Sequence, residues 1–281
     1  MSSKILVFQS DFGLLEGTVS QMHGVAIQVD PDLRIFDLSH QIPRFNTWDA
    51  SYSLYQTCRA WPEETVFVSV IDPGVGSSRK SVAARTSAGH YIVTPDNGTL
   101  THLKKHVGIE AVREIDESVN RVEGSEKSHI FHGRDVYAYT GARLASGVID
   151  FEGVGPASPV NDIIMHETID PVLEGDQLTG MLDIVDPHFG MVWSNIPLEM
   201  FEQMGIDFGD PVHTVIEQAG EQRYAEVLPY CRTFSDVPRD SELIYPNEIG
   251  NLAIATNLGS FVEKFAVQTG TDWQVRFLKQ G

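Results

Sequence analysis

Short apolar runs alternate with amphipathic stretches along the first half of the chain. Residues 4–9 (KILVFQ) set apolar side chains between polar ends and predict a strand, and Gly17 to Val29 carries helical spacing. Leu33 to Leu38 reads as a strand, Trp48 to Ala60 as a helix, and Thr65 to Ile71 as a buried strand. Val82 to Thr86 and His90 to Thr94 predict a hairpin around Ala88-Gly89; a short helix from Thr99 and a longer one from Arg134 to Ser146 follow. Such alternation predicts an α/β domain with a largely parallel central sheet, whose ligands bind in loops beyond the carboxyl ends of the strands. Between Pro156 and Pro171 the composition shifts to Pro, Ser, Asn and Asp, the mark of a linker. Beyond it, Gln177 to Val185, Val212 to Gln218, Arg223 to Leu228 and Leu252 to Thr256 read as short strands, with a turn at Gly220. They predict a smaller antiparallel β domain, barrel-like. The expected organisation is an α/β domain over 1–160, a linker over 161–175 and a β domain over 176–281.

Composition agrees with two folded domains: 281 residues exceed most single cores, and 42% hydrophobic with 21% charged residues is a globular mix. The net charge of −19 argues against nucleic acid and anionic membranes as partners, since phosphate binding needs clustered Lys and Arg. No apolar run is long enough to span a bilayer, and the start MSSKILVF lacks a basic leader with an apolar core, so a cytoplasmic location is expected. Cys58 and Cys231 fit no metal spacing and are expected as buried free thiols.

Three strand ends empty into polar residues with glycine. Ser10-Asp11-Phe12-Gly13 follows the opening strand; Asp11 can hold a vicinal diol or cap the helix that starts near Glu16. The strand at Val66–Ile71 runs into Asp72-Pro73-Gly74-Val75-Gly76-Ser77-Ser78-Arg79, a tight loop whose flanking Asp72 and Arg79 can pair, either to orient a carboxylate or to staple the loop. It lacks the Gly-Lys-Ser/Thr ending of a phosphate P-loop. His129-Ile130-Phe131-His132-Gly133-Arg134-Asp135 enters the long helix, with His132 suited to orienting or exchanging a proton with water. The pairs His129/His132 and His102/His106 come without an obvious third ligand; no metal is expected, and the second pair reads as a solvated helix face. Thr94-Pro95-Asp96-Asn97-Gly98 is a turn signal. Asp186-Pro-His-Phe-Gly-Met-Val-Trp193-Ser-Asn195 combines a carboxylate with aromatics, of which Phe189 is expected to be partly core, and Asn247-Glu248-Ile-Gly-Asn leads into a strand.

In this order and spacing, SDFG, DPGVGSSR, PDNG, FHGRD, FGMVWSNIP and NEIGNLAIATN resemble the S-adenosyl-L-methionine (SAM) hydroxide adenosyltransferase family, the adenosine-forming SAM hydrolases, relatives of fluorinase and chlorinase. The resemblance covers nearly the whole chain. It implies an α/β domain followed by a β domain, in a homotrimer with sites between neighbouring subunits, and hydrolysis of SAM to adenosine and methionine without cofactor or metal. Asp72, Arg79 and His132 match the residues that act on water. Asp11 matches the carboxylate on the ribose diol, Phe45 falls near an aromatic against the nucleoside, and Asp186 and Trp193 match positions around the methionine and adenosine. Asn247 lies in the last of these motifs, and Glu16 and Glu248 complete the implied substrate set.

Halogenating relatives carry tyrosine where this chain has Asp72 and His132, and fluorinase has serine where it has Gly133, so water rather than halide is the expected nucleophile. Met191 replaces an amide expected at the adenine, Glu16 stands where Asp is common, and Glu248 where Ser is frequent. The alternatives are a SAM- or adenosine-binding protein with weak turnover, motivated by these three positions, and a halide-using transferase, for which Gly133 leaves room but beside which Asp72 would repel an anion.

Overall fold

The computed structural model describes residues 4–279, so the extreme ends of the two expected domains, residues 1–3 and 280–281, lie outside the described residues. The chain divides into two compact units, residues 1–166 and 167–281.

In the first unit, β1 (Ile5–Ser10), β2 (Arg34–Ser39), β3 (Val66–Val70), β4 (Ser81–Thr86), β5 (Tyr91–Pro95), β6 (Ile109–Glu114) and β7 (Ala157–Ser158) form one sheet in the order β2-β1-β3-β5-β4-β6-β7. The first four positions in that order are joined in parallel, as β1 pairs with β2 and β3, and β3 with β5. The hairpin then reverses direction: β4 runs antiparallel to both β5 and β6, and β7 is antiparallel to β6. The sheet is therefore mixed within an α/β layer. β1 and β3 are buried along their whole length, as their unbroken apolar runs require of strands covered on both faces.

Helix α1 (Thr18–Val29) shares one face with the segment 133–146, which starts as a π-helical turn (Gly133–Ala138) and continues as α4 (Tyr139–Ser146). Met22 and Ala26 from α1 and Tyr137, Ala138 and Ala142 meet Leu6, Phe8, Val66, Val68 and Val93 in one core. Gly141 allows this: a Cβ there would fall on Val68, so the helix lies directly on β3. Helices α2 (Thr47–Cys58) and α3 (Thr101–His106) pack together elsewhere in this unit. The expectation of a solvated face on α3 is corrected here. His102 is buried, its Nδ1 2.9 Å from Ser51 Oγ and its ring against Trp48 and Tyr52, because α2 supplies an aromatic wall.

In the second unit, β8 (Val172–Glu174) pairs with β9 (Gln177–Asp186), and β10 (Met191–Pro197), β11 (Pro211–Gln218), β12 (Glu221–Pro229), β13 (Glu242–Pro246), β14 (Asn251–Thr256) and β15 (Gly270–Lys279) complete an antiparallel sheet. Its order is β12-β11-β15-β9-β10-β14-β13. The two ends of that order meet where Tyr230 bridges Ile244 and Cys231 N–H donates to the Ile244 carbonyl at 2.8 Å, so the sheet curls into a nearly closed barrel. Leu178, Ile216, Leu252, Val275 and Phe277 fill it, and the short helices α5 (Leu198–Glu202) and α6 (Phe261–Phe265) add Phe201 and Phe261. Both cysteines are free and buried. No helix among the described residues is long and apolar enough to cross a membrane.

Candidate active site

Because β1, β3 and β5 are parallel neighbours, their carboxyl ends open on one edge of the sheet. Asp11 follows β1, Asp72 lies two residues past β3, and Asn97 two past β5. Asn97 Nδ2 donates to the Ile71 carbonyl at 2.8 Å, tying the third loop to the second. The Pro95-Asp96-Asn97-Gly98 segment is thus a brace as well as a turn. Gly98 has φ of +103° and leaves space for the His166 ring that a Cβ would fill.

Arg79 returns across the glycine loop to Asp72. Its Nε donates to Oδ1 at 2.9 Å and its Nη2 to Oδ2 at 2.5 Å, a two-pronged pair with side chains 9% and 6% exposed. The same guanidinium reaches His132 Nδ1 at 3.0 Å and Ser81 Oγ at 2.9 Å, and lies over the ring of buried Tyr137. Burial acts to lower the basicity of Arg79, but the hydrogen bonds to Asp72 with the surrounding negative charge outweigh it and raise the pKa. His132 is shifted the other way: burial, aided by the charges of Arg79 and Arg121 and opposed by Glu117 and Asp72, lowers its pKa and favours the neutral ring. Arg79 has no acceptor, so Nδ1 of His132 must accept, and the proton sits on Nε2. That Nε2 is buried without a hydrogen-bond partner among the described residues. Each Asp72 oxygen keeps a second lone pair.

The opening loop joins this cluster through Phe12, whose ring meets Phe131 edge-on at 5.8 Å between centroids. A Cβ on Gly133 would come within 3.2 Å of both rings, so Phe12 occupies the space that the missing side chain leaves. Asp11 does not cap α1, which starts after Gly17 without a side-chain cap. Its Oδ2 instead accepts from Phe45 N–H at 2.9 Å, which brings together two expected substrate residues, with Phe45 exposed at a φ of +66°. Glu16 is exposed in the segment before α1.

In the second unit Asp186 holds the β9–β10 turn, Oδ1 accepting from His188 N–H at 2.8 Å and Phe189 N–H at 2.9 Å. Phe189 is 63% exposed rather than partly core, because this turn lifts it off the barrel. Trp193 is buried and donates through Nε1 to the Tyr245 hydroxyl at 3.0 Å, which donates in turn to Met191 Sδ at 2.9 Å. Met191 thus terminates a buried polar chain, and burial raises the Tyr245 pKa. Asn247 Oδ1 accepts from Ile249 and Asn251 N–H, while its buried Nδ2 has no partner among the described residues. Glu248 lies in the same turn. A cavity of about 510 Å³ beside the β9–β10 turn is lined by Phe189, Met191, Phe234 and Leu258 among others.

The SAM hydroxide adenosyltransferase N-terminal domain model matches residues 6–155, and the C-terminal domain model of the same family matches residues 180–274. The chain belongs to the SAM hydroxide adenosyltransferase family. It is 30% identical to a protein of Salinispora arenicola named (R)-S-adenosyl-L-methionine hydrolase, over 98% of both chains. It is 28% identical to a fluorinase of Nocardia brasiliensis over 97% of this chain and 96% of that one. A protein of Methanocaldococcus jannaschii, also named (R)-S-adenosyl-L-methionine hydrolase, is 40% identical over 50% of this chain and 52% of its own length. Among solved structures, an uncharacterized conserved protein of Thermotoga maritima superposes with a TM-score of 0.88 at 32% identity, covering 98% of this chain and 100% of that one.

Ser81, Tyr137 and Glu117 are absent from the residues expected to serve the site. Tyr137 and Ser81, joined at 3.0 Å, seat the guanidinium from behind, and nothing in their sequence spacing announces it. Glu117 is held by Arg121 at 2.6 Å and acts on His132 only through its charge.

Proposed function

We propose that this chain hydrolyses SAM to adenosine and L-methionine, with water displacing methionine at the ribose 5′ carbon. The observation that carries this reading is the buried Asp72–Arg79 pair sharing its guanidinium with His132, beyond the end of β3 in a chain of this family. The sulfonium leaves as a neutral thioether, so sulfur needs no acid; what must be supplied is an aligned water that loses a proton. The free lone pairs of Asp72 accept that proton, which then passes to solvent. Arg79 fixes the carboxylate, and His132 donates its Nε2–H to the water oxygen. With Nδ1 accepting from Arg79, His132 orients the water and does not act as its base. Positioning and exclusion of bulk solvent supply much of the effect.

Asp11 and Phe45 hold the ribose and lie against the nucleoside. Asp186, Trp193, Asn247, Glu16 and Glu248 serve the rest of the substrate, with the cavity beside Met191 suited to the adenine. Leu14, Leu15, Phe45 and Ile130, all on the site loops, are exposed at 65%, 102%, 66% and 82%. Apolar side chains so placed support an interface that covers them, and the partners fitting this reading are further copies of the chain in a homotrimer. Light scattering that finds a monomer at micromolar concentration removes the trimer.

The reaction is tested with both sulfonium epimers of SAM in water enriched in ¹⁸O. The expected products are methionine and adenosine labelled at the 5′ oxygen. Asp72→Ala should lower turnover by about 10²-fold or more while adenosine still binds. Unlabelled adenosine, or unchanged turnover in that variant, defeats the reading.

A further inference from the structure

We propose that His23, Asp37 and His40 form a binding site for a divalent transition ion of the zinc class, apart from the Asp72–Arg79–His132 cluster. His23 projects from α1, Asp37 from β2, and His40 from the turn after β2. Their ligand atoms lie within 4.8 Å of one another, the one such grouping of three His, Cys, Asp or Glu side chains among the described residues. Nε2 of His23 is 2.8 Å and Nε2 of His40 3.0 Å from the same Asp37 oxygen. Two imidazoles and a carboxylate are a borderline donor set that suits Zn²⁺ or Co²⁺ and leaves a position for solvent.

A second observation comes from His40. Its side chain is 1% exposed, and its Nε2 lies 3.0 Å from Asp37 Oδ1 yet makes no hydrogen bond among the described residues. A buried ring nitrogen left in this way is uncommon and calls for an explanation. The other nitrogen supplies one. Nδ1 lies 2.7 Å from Ser10 Oγ, which also accepts from Phe12 N–H. With Nδ1–H donating to that oxygen, Nε2 presents its lone pair to the cluster, the arrangement that metal-bound histidines adopt.

His23 and Asp37, 32% and 40% exposed, leave a path from solvent. Ligand atoms around tetrahedral zinc stand about 3.3 Å apart, so small rotations of these two exposed side chains admit the ion. Bound there, it would join α1 to β2. Through His40, whose carbonyl also accepts from Gly13 N–H at 2.8 Å, it would stiffen the loop that carries Asp11.

The full-length, tag-free chain, stripped with chelator and then freed of it, is titrated with ZnCl₂ by calorimetry and with CoCl₂ by visible absorption. One ion per chain is expected, with Co²⁺ bands of a four- or five-coordinate site and a higher thermal midpoint. His23→Gln and Asp37→Asn, both partly exposed and so expected to fold, should each weaken binding at least tenfold and remove the bands. Absence of saturable binding at one ion per chain overturns the site, as does a loss of affinity below tenfold in either variant.

Discussion

The guanidinium of Arg79 serves four acceptor atoms on three residues at once: both oxygens of Asp72, His132 Nδ1 and Ser81 Oγ. A lysine ammonium cannot span that fork. Arg79→Lys should therefore keep the positive charge yet lower kcat by about 10²-fold, a loss read in steady-state assays. His132 makes a different prediction, since its lowered pKa keeps it neutral near pH 7. As pH falls below the ordinary histidine value of 6.5, the unfolded chain takes up a proton that folded His132 resists. Its contribution to stability is therefore full above that value and lost as the pH drops toward the lowered folded pKa. Activity should follow with an acid limb displaced below the usual histidine range. Urea midpoints and kcat/KM measured between pH 5 and 8 check both, and His132→Gln should flatten this part of the stability profile. A limb centred at or above the ordinary value removes the neutral-ring assignment.

At the scale of elements, the π-helical turn at Gly133–Ala138 places Tyr137 behind Arg79. Such turns insert one extra residue, collect at functional sites, and leave little trace in helical periodicity. The sequence accordingly predicts one continuous helix from Arg134 to Ser146, right in extent and silent about the widened turn. Gly133 begins this turn with two aromatic rings pressed against it. Gly133→Ser, the change that the family resemblance associates with fluorinase, must push Phe12 or Phe131 aside by a few tenths of an ångström. The expected outcome is a destabilisation of about 1–3 kcal/mol, seen as a lower thermal midpoint, with no 5′-halogenated nucleoside formed from SAM and halide. A stable variant that makes such a product would show that Gly133 alone restrains the nucleophile.

Across the whole chain, burial explains only part of what the sequence makes legible, since exposed β2 is among the expected strands and buried β10 is not. The fully buried β1 and β3 stand out as unbroken apolar runs, and with them the loops that carry Asp11 and Asp72. Half-exposed β6 mixes Ile, Val and Ala with Glu and Arg and gives no comparable signal. The reversal at β4 is implicit in the expected hairpin, which makes the sheet mixed rather than parallel throughout. Pairing across the loops, such as Asp11 with Phe45 N–H or His132 with Arg79, depends on topology that no local spacing encodes. In the second unit β15 alternates Trp273, Val275 and Phe277 inward, a period-two signal present in the sequence though outside the strands expected from it. That strand lies between β11 and β9 in the barrel, and its three side chains belong to a core built wholly from residues after Glu167. With its own core and a sheet whose two ends meet at the bridge between Tyr230 and Ile244, this unit has the apolar interior that independent folding needs. A fragment of residues 167–281 should therefore fold alone, with a β-type circular dichroism spectrum and a single cooperative urea transition followed by fluorescence of buried Trp193 and Trp273. It should show no SAM turnover, because Asp72, Arg79 and His132 all lie in the other unit. A gradual, non-cooperative loss of fluorescence would mean that the barrel core does not stand on its own residues.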